Sequence, residues 1–191
     1  MSEDRPAETV SDIVLLTRAI DFAARRHQEQ RRKGEAKEPY INHLTEVASL
    51  VAQATDGHDV LAVLGAILHD TVEDTNTTPA ELTATFGSDV AGLVAEVTDD
   101  KTLEKVQRKL LQVRTAASKS RRARLIKIAD KTSNLRSLMQ SPPPDWDATR
   151  RRQYCEWAAR VVGECRGVSP WLEARFDEAY RLVNGRGVGS G

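Results

Sequence analysis

Residues 60–75 read VLAVLGAILHDTVEDT. The first nine of these residues are apolar apart from one glycine, a composition typical of a helix that is buried on all sides. The six residues from His69 to Asp74 then carry an imidazole and three carboxylates. Because residues four apart share a helix face, we expect His69 beside Glu73 and Asp70 beside Asp74 at the end of this helix. The negative end of the helix dipole also favours a cation, so the stretch predicts a metal site with its acid-base groups close by.

The rest of the chain shows the same helical periodicity, with apolar residues three or four positions apart and no convincing strand alternation. The pattern predicts a helix from Leu44 onward and helices at 9–30, 60–69, 78–86, 89–97, 103–117, 121–139, 146–165 and 170–182. We therefore predict an all-α fold, a bundle of about eight to ten helices.

Length and composition limit the classes of protein that fit. The chain has 191 residues with 28 basic and 28 acidic side chains, a balance that argues against a general nucleic-acid binder. We expect a single domain over residues 8–184 between flexible ends at 1–7 and 185–191. No signal-peptide pattern and no apolar stretch of about 18 residues occurs, which predicts a cytoplasmic protein without membrane contact. Cys155 and Cys165 lie ten positions apart on one predicted helix, so we expect reduced, buried thiols.

The four histidines can be weighed one by one as metal ligands. His43 follows Pro39-Tyr40-Ile41-Asn42 where a loop turns into a helix, a good place to project a ligand. His27 stands among Arg and Gln residues and His58 between Gly and Asp, so we expect both to face solvent.

Asp130 interrupts an apolar helical stripe, where a carboxylate is costly to bury unless it is paired or binds a metal. Asn134 falls one turn later on the same face, where its amide can hold a water or a substrate oxygen. Spacing alone leaves two interpretations open: a metal ligand, or a helix carboxylate paired with Lys127 or Arg136.

Longer segments make the pattern more specific. In chain order they are PYINH at 39–43, HDTVEDT at 69–75, EVTDDK at 96–101 and ADKTSNLR at 129–136. Together they resemble the hydrolase domain of the RelA/SpoT homologues, a group of the HD superfamily of metal-dependent phosphohydrolases, over residues 13–183. RRK at 31–33, TDDKTL at 98–103 and EWAA at 156–159 are most similar to the stand-alone small alarmone hydrolases, which include the metazoan SpoT homologue.

The resemblance implies an HD-domain helical bundle and a Mn²⁺-dependent hydrolase. Such an enzyme removes the 3′-pyrophosphate from ppGpp and pppGpp, giving GDP or GTP and pyrophosphate. By residue-level match the metal ligands are His43, His69, Asp70 and Asp130. Glu73 and Asp74 would orient the attacking water and move protons.

The resemblance also implies substrate contacts from Arg32, Lys33, Asn134, Lys105, Arg150 and Tyr154. Each of the basic residues has a simpler interpretation as part of a solvated surface. The sequence departs from the family at Leu44, where proline is usual, and at Thr132-Ser133, where a larger pair is common. Smaller side chains beside Asn134 would leave more space near the ribose.

Three further functions stay open at this point. The first is phosphatase action on NADPH, an activity associated with the metazoan relatives. The second is another HD-type nucleotide phosphohydrolase, although the Arg32-Lys33 and Glu73-Asp74 pairs favour the alarmone group. The third is a catalytically inactive module that only binds nucleotides. In each case the expected partner is a small-molecule nucleotide, and the oligomeric state is left open.

Overall fold

The structure is a computed structural model that describes residues 11–185. Ten helices follow one another in the described part of the chain: α1 Asp12–Arg26, α2 Ile41–Ala54, α3 Val60–Leu68, α4 Thr71–Asp74, α5 Pro79–Phe86, α6 Ser88–Val97, α7 Lys105–Ala116, α8 Arg121–Gln140, α9 Ala148–Cys165 and α10 Pro170–Gly185. The prediction of an all-α bundle is confirmed. The segments predicted to be flexible, 1–7 and 185–191, lie outside the described residues apart from Gly185, which ends α10.

Helix α3 lies inside the bundle, as its apolar sequence predicts. It packs against α1, α2, α6 and α8, and seven of its nine residues are buried. Gly65 marks the closest approach, since a Cβ placed there would lie 2.5 Å from Leu93 Cδ2 of α6. Burial of this kind fixes the position of the residues that follow α3.

Helix α8 is the second central element, with α2, α9 and α10 packed around it. Twelve of its 20 residues are buried, and these include the charged side chains of Lys127, Asp130 and Lys131. Buried charged side chains need polar partners, so we expect a polar site around this part of α8, within the core.

The helix predicted over 60–69 is present and ends one residue earlier, but the expectation that helical spacing continues from His69 to Asp74 is wrong. Helix α3 ends at Leu68, Asp70 lies between the two helices, and a separate single turn, α4, follows. The break is stabilised by side chains that bond the carbonyls it leaves without helical partners. His69 Nδ1 lies 2.8 Å from Ala66 O, and Thr71 Oγ1 donates to Leu68 O at 2.6 Å. The break changes the direction in which His69 and Asp70 project relative to α3.

The ends of the other helices follow local signals. Thr78 caps α5, with Pro79 in its first turn, and Gly87 joins α5 to α6 with φ +90°. Helix α1 ends at Arg26, four residues before its predicted end at Gln30. Cys155 and Cys165 are buried thiols, and burial raises the pKa of each to about 11. Within residues 11–185 no helix has both the length and the apolar composition needed to cross a membrane.

Candidate metal centre and adjoining cleft

Four side chains from three regions of the bundle meet at one point. His43 comes from the first turn of α2, His69 and Asp70 from the break after α3, and Asp130 from the middle of α8. Ligand atoms of His43, His69 and Asp130 lie within 4.8 Å of one another. Asp70 Oδ2 joins this cluster, 3.1 Å from His69 Nε2 and 3.7 Å from His43 Nε2. The structure therefore brings together all four residues expected to bind the metal.

The chemistry of this cluster fits a divalent metal ion. Two imidazole nitrogens and two carboxylates are donors that Mn²⁺, Fe²⁺ and Zn²⁺ accept. His69 Nε2 is buried and makes no hydrogen bond of good geometry within residues 11–185, although Asp70 Oδ2 lies 3.1 Å away, while its Nδ1 is directed at Ala66 O. Burial opposes a charge on His69, but the carboxylates of Asp70 and Asp130 outweigh it and raise its pKa to about 9. The two carboxylates thus favour a positive charge placed beside them.

Neighbouring side chains hold the two carboxylates in place. The hydroxyl of Tyr40 donates to Asp70 Oδ2 at 2.6 Å. Asn134 Nδ2 donates to Asp130 Oδ1 at 2.6 Å, and Lys131 Nζ donates to Asp130 Oδ2 at 2.8 Å. The alternative pairing of Asp130 with Lys127 or Arg136 is not found, because Lys127 donates to Val97 O and Arg136 to Glu46. Contacts of this type orient metal ligands and tune the affinity of the site for the metal.

Glu73 and Asp74 both line the 160 Å³ cavity at the cluster, but their surroundings differ. Glu73 Oε2 accepts a hydrogen bond from Asp99 N at 3.1 Å, and burial raises the pKa of Glu73 above its ordinary value. Asp74 Oδ1 forms an ion pair with Lys101, and its Oδ2 accepts from Gln30 Nε2 at 3.0 Å. Glu73 is therefore the better placed of the two for proton transfer.

A wider cleft adjoins the cluster. One part, about 270 Å³, is lined by Arg32, Lys33, Asn134 and Tyr154 among others. A second part, about 530 Å³, shares Lys33 and Tyr154 with the first and adds Lys105 and Arg150. All six residues expected to contact substrate thus line these cavities.

The six residues are not equally accessible. Arg32 is only 8 % exposed, and its guanidinium donates to Asn134 Oδ1 at 3.3 Å and to Ser133 O at 3.5 Å. Both ends of the Asn134 amide are consequently engaged, by Arg32 and by Asp130. Lys33 is exposed and remains available to a ligand. The expected extra space near the ribose is not provided by Thr132 and Ser133, because both are completely buried.

Cations gather around Trp157, which lines the second part of the cleft. Lys109 Nζ lies 4.6 Å from the ring centroid of Trp157, and Lys131 Nζ lies 4.5 Å from the same centroid. Burial, together with the charges of Lys105, Lys131 and Arg150, lowers the pKa of Lys109. Like charges held this close are stabilised by an anion, and a phosphorylated ligand supplies one.

The loop at 31–39 forms one wall of the cleft. Its two ends meet in an antiparallel bridge between Arg31 and Pro39. Its tip is held against the end of α8, where Ala36 N donates to Ser141 Oγ at 2.8 Å and Glu35 N donates to Pro142 O at 3.3 Å. Gly34 lies so close to Ser141 that an added Cβ would be 2.2 Å from the Ser141 carbonyl oxygen.

Comparison with known proteins agrees with this arrangement. A sequence model of the HD domain matches residues 19–157, most of the chain and all four clustered residues. The chain belongs to the HD domain family. Two relatives of this HD domain are proteins called guanosine-3′,5′-bis(diphosphate) 3′-pyrophosphohydrolase MESH1. The human protein is 45 % identical over 171 residues, covering 90 % of this chain and 96 % of its own. The Xenopus tropicalis protein is 45 % identical over 170 residues, covering 89 % and 95 %.

A solved structure shares the architecture of this HD domain. It is described as a metazoan ortholog of SpoT that hydrolyzes ppGpp and plays a role in starvation responses. It superposes with a TM-score of 0.86 at 42 % sequence identity, covering 95 % of this chain and 99 % of that one. The resemblance stated from sequence motifs is therefore confirmed at the level of family and fold.

Several polar residues of the HD domain site were missed by the sequence reasoning. Lys127 and Lys131 line the cavity at the cluster, and both share a face of α8 with Asp130 or Asn134 at helical spacing. That spacing is a signal that could have identified them. His27 was expected to face solvent and is instead 2 % exposed, stacked on Tyr40 with 5.2 Å between ring centroids. Its ring nitrogen contacts Gln30, a tertiary arrangement that local composition does not reveal. His58 is exposed, as expected.

Proposed function

We propose that this protein is a Mn²⁺-dependent 3′-pyrophosphohydrolase that converts ppGpp and pppGpp to GDP or GTP and pyrophosphate. The observation that carries the proposal is a metal-compatible cluster opening directly onto a cleft crowded with cations. The names of the human and Xenopus relatives and the description of the solved structure support the same substrate. We further propose that residues 8–184 act as one hydrolase domain and that it works in the cytoplasm, in contact with its nucleotide substrates.

His43, His69, Asp70 and Asp130 would hold the metal. Their mixed nitrogen and oxygen donors suit Mn²⁺ with further oxygens from water and substrate. When bound, the ion lowers the pKa of a coordinated water and neutralises phosphate charge. Asp70 and Asp130 are kept in position for this task by Tyr40 and by Lys131.

The substrate carries a diphosphate on its 3′ oxygen and a diphosphate or triphosphate on its 5′ oxygen, and the cleft offers cations for both. Lys33 lies where the two parts of the cleft join, and Lys105 and Arg150 line the larger part. The Arg150 guanidinium carbon lies over the Trp146 ring, 4.8 Å from its centroid, a contact that favours one position of the cation. Tyr154 provides an aromatic surface between the two parts, against which a purine or ribose can pack.

Hydrolysis requires one water and one transferred proton. We assign Glu73 as the group that removes the water proton, through the carboxylate whose Oε2 is fixed by Asp99 N. The water oxygen bonds to the phosphorus next to the ribose, the bond from that phosphorus to O3′ breaks, and the proton ends on O3′. Burial raises the pKa of Glu73, which suits a group that accepts a proton and returns it. Asp74, tied to Lys101 and Gln30, would help to orient the water at the entrance.

The proposal is tested with metal-stripped protein and ppGpp, with and without Mn²⁺, and with Asp70→Ala as the control. We expect GDP and pyrophosphate to appear only with Mn²⁺ and only with the unaltered protein. NADPH is assayed in parallel, with release of inorganic phosphate as the readout. Turnover of NADPH but not of ppGpp would refute the proposed substrate, and tight nucleotide binding without any turnover would identify a binding module.

A further inference from the structure

The side of His43 that faces away from the cluster makes a buried polar contact. His43 is 2 % exposed, and its Nδ1 lies 2.9 Å from Ser133 Oγ. Its Nε2 points to the cluster, 3.3 Å from Asp130 Oδ1. Ser133 is completely buried on α8, so water cannot replace it as a partner for the imidazole.

The hydrogen bond that Ser133 makes on its other side determines its role toward His43. Ser133 Oγ donates its proton to Glu46 Oε2 at 2.6 Å. Glu46 is in turn ion-paired with Arg136, whose Nη1 lies 3.0 Å from Glu46 Oε1. A carboxylate paired with an arginine accepts hydrogen bonds and has none to give.

Because the only hydroxyl proton of Ser133 is committed to Glu46, its oxygen can only accept from His43. The Nδ1 of His43 must therefore carry a proton, and in the neutral imidazole this leaves the lone pair on Nε2. A metal ligand needs that lone pair, whereas the opposite tautomer would direct an N–H at the metal.

We propose that Ser133 and Glu46 are positioning residues that hold His43 as the Nδ1-protonated tautomer, with the Nε2 lone pair directed at the metal. The contact joins α2 to α8 twice, through His43 and through Glu46, which lie one turn apart on α2. Ser133 is one of the positions at which the sequence departs from its family, and here it has a defined task. The inference rests on the proposed metal role of His43. The experiments below distinguish failure of the positioning role from failure of that metal role.

The first experiment measures the tautomer itself in metal-free protein. Long-range ¹H–¹⁵N spectra of histidine-labelled protein distinguish a protonated Nδ1 from a protonated Nε2. We expect His43 to carry a proton on Nδ1 in the unaltered protein and to lose it in Ser133→Ala, where Asp130 Oδ1, 3.3 Å from Nε2, is the acceptor that remains. Thr132→Val is the matched control. It also removes a buried hydroxyl, from the residue adjacent to Ser133, but that hydroxyl donates to Ile128 O and does not contact His43. An unchanged His43 spectrum in Ser133→Ala would overturn the proposal.

The second experiment measures Mn²⁺ affinity by calorimetry on the same proteins. Loss of a contact that orients a metal ligand typically weakens binding about 10–100-fold. We expect a loss in this range for Ser133→Ala and none for Thr132→Val. Failure of the unaltered protein to bind Mn²⁺ would refute the proposed function, while equal affinities of unaltered protein and Ser133→Ala would refute the positioning role.

A further pair of variants covers the case in which Ser133→Ala does not fold. Glu46→Ala leaves the Ser133 hydroxyl able to donate to His43 Nδ1, which permits the wrong tautomer. Glu46→Gln retains a carbonyl acceptor for Ser133, yet both variants lose the ion pair with Arg136. Mn²⁺ affinity should fall in Glu46→Ala and recover in Glu46→Gln. Equal affinity in these two variants would show that the acceptor does not matter, and the proposal would be wrong.

Discussion

Glu73 and Asp74 are adjacent carboxylates with different surroundings, and this difference predicts different roles. Glu73 lies among buried groups with one oxygen fixed by a backbone N–H, whereas Asp74 has both oxygens engaged by Lys101 and Gln30. Replacing Glu73 by Gln should lower kcat by about 10²–10⁴-fold, the range typical for loss of a general base. Mn²⁺ binding should persist, because Glu73 lies outside the four-residue cluster.

The matched variant is Asp74→Asn, for which we expect a distinctly smaller loss of kcat. Steady-state kinetics and calorimetric Mn²⁺ titrations on both variants provide the comparison. A larger loss in Asp74→Asn than in Glu73→Gln would reverse the assignment of the proton-transferring group.

Single residues were predictable where their partners are near in sequence or where a motif names them. The expected meeting of His43, the His69-Asp70 pair and Asp130 came from the resemblance. Spacing alone also allowed Asp130 to be a helix carboxylate paired with a basic side chain. Tyr40 was part of a quoted motif, yet its bond to Asp70 depends on how the loop folds back. The link from His43 through Ser133 to Glu46 spans α2 and α8 and has no local signal. Such contacts depend on tertiary packing, which local sequence patterns do not reveal.

At the scale of elements, the break after α3 shows where helical periodicity misleads. The apolar run ends at Leu68, but the four-residue spacing of His69 with Glu73 and of Asp70 with Asp74 continues the helical pattern beyond it. Side chains then offer the backbone alternative hydrogen bonds, from His69 to Ala66 O and from Thr71 to Leu68 O. Such local bonds compete with the helix ladder and end it. The existence of the helices could be predicted, but this change of direction could not.

The packing of α3 against α6 leads to a prediction about stability. A Cβ at Gly65 would meet the Leu93 side chain at 2.5 Å, so Gly65→Ala forces the two helices to shift. We expect a loss of about 1–3 kcal/mol in the free energy of unfolding, as is usual for overpacking a core. Urea denaturation followed by circular dichroism measures it.

Gly92 supplies the control, since it lies in α6 and no neighbouring atom of residues 11–185 is within 4 Å of an added Cβ. Gly92→Ala should stabilise the protein by about 0.5–1 kcal/mol through helix propensity alone. If both alanine variants stabilise the protein, the close approach of α3 and α6 is incorrect.

At the scale of the molecule, the cluster connects α2, the α3–α4 break and α8. A metal bound there stabilises the folded state as a whole, because the unfolded chain does not hold these ligands together. At a free Mn²⁺ concentration a hundred times Kd the gain is about 2.7 kcal/mol. For a domain of this size that corresponds to a rise in Tm of roughly 5–10 °C.

Thermal unfolding of metal-stripped protein against increasing Mn²⁺ checks this expectation, and EDTA should reverse the rise. Asp130→Ala should abolish the dependence of Tm on Mn²⁺, because it removes a ligand from the central helix. A rise of equal size in that variant would show that Mn²⁺ stabilises the protein elsewhere.

The distribution of charge also acts at the scale of the molecule. The chain has no net charge, yet cations gather in the cleft around Lys105, Lys109 and Arg150. Attraction of a highly charged nucleotide to such a region is weakened by salt. We expect KM for ppGpp to rise with NaCl between 50 and 300 mM, about the range over which screening becomes effective, while kcat changes little. Lys109→Met should reduce this salt dependence, and a KM that does not respond to salt would contradict the role of the cationic cleft.

The wall formed by residues 31–39 has a consequence for how quickly a nucleotide can enter. The loop is bridged at its base and bonded to Ser141 and Pro142 at its tip, so opening it would break contacts at both ends. We therefore expect diffusion and charge to set the rate of nucleotide entry, without a preceding opening step. The observed rate constant for nucleotide association should rise linearly with nucleotide concentration, without reaching a plateau, as for one-step binding to an open site.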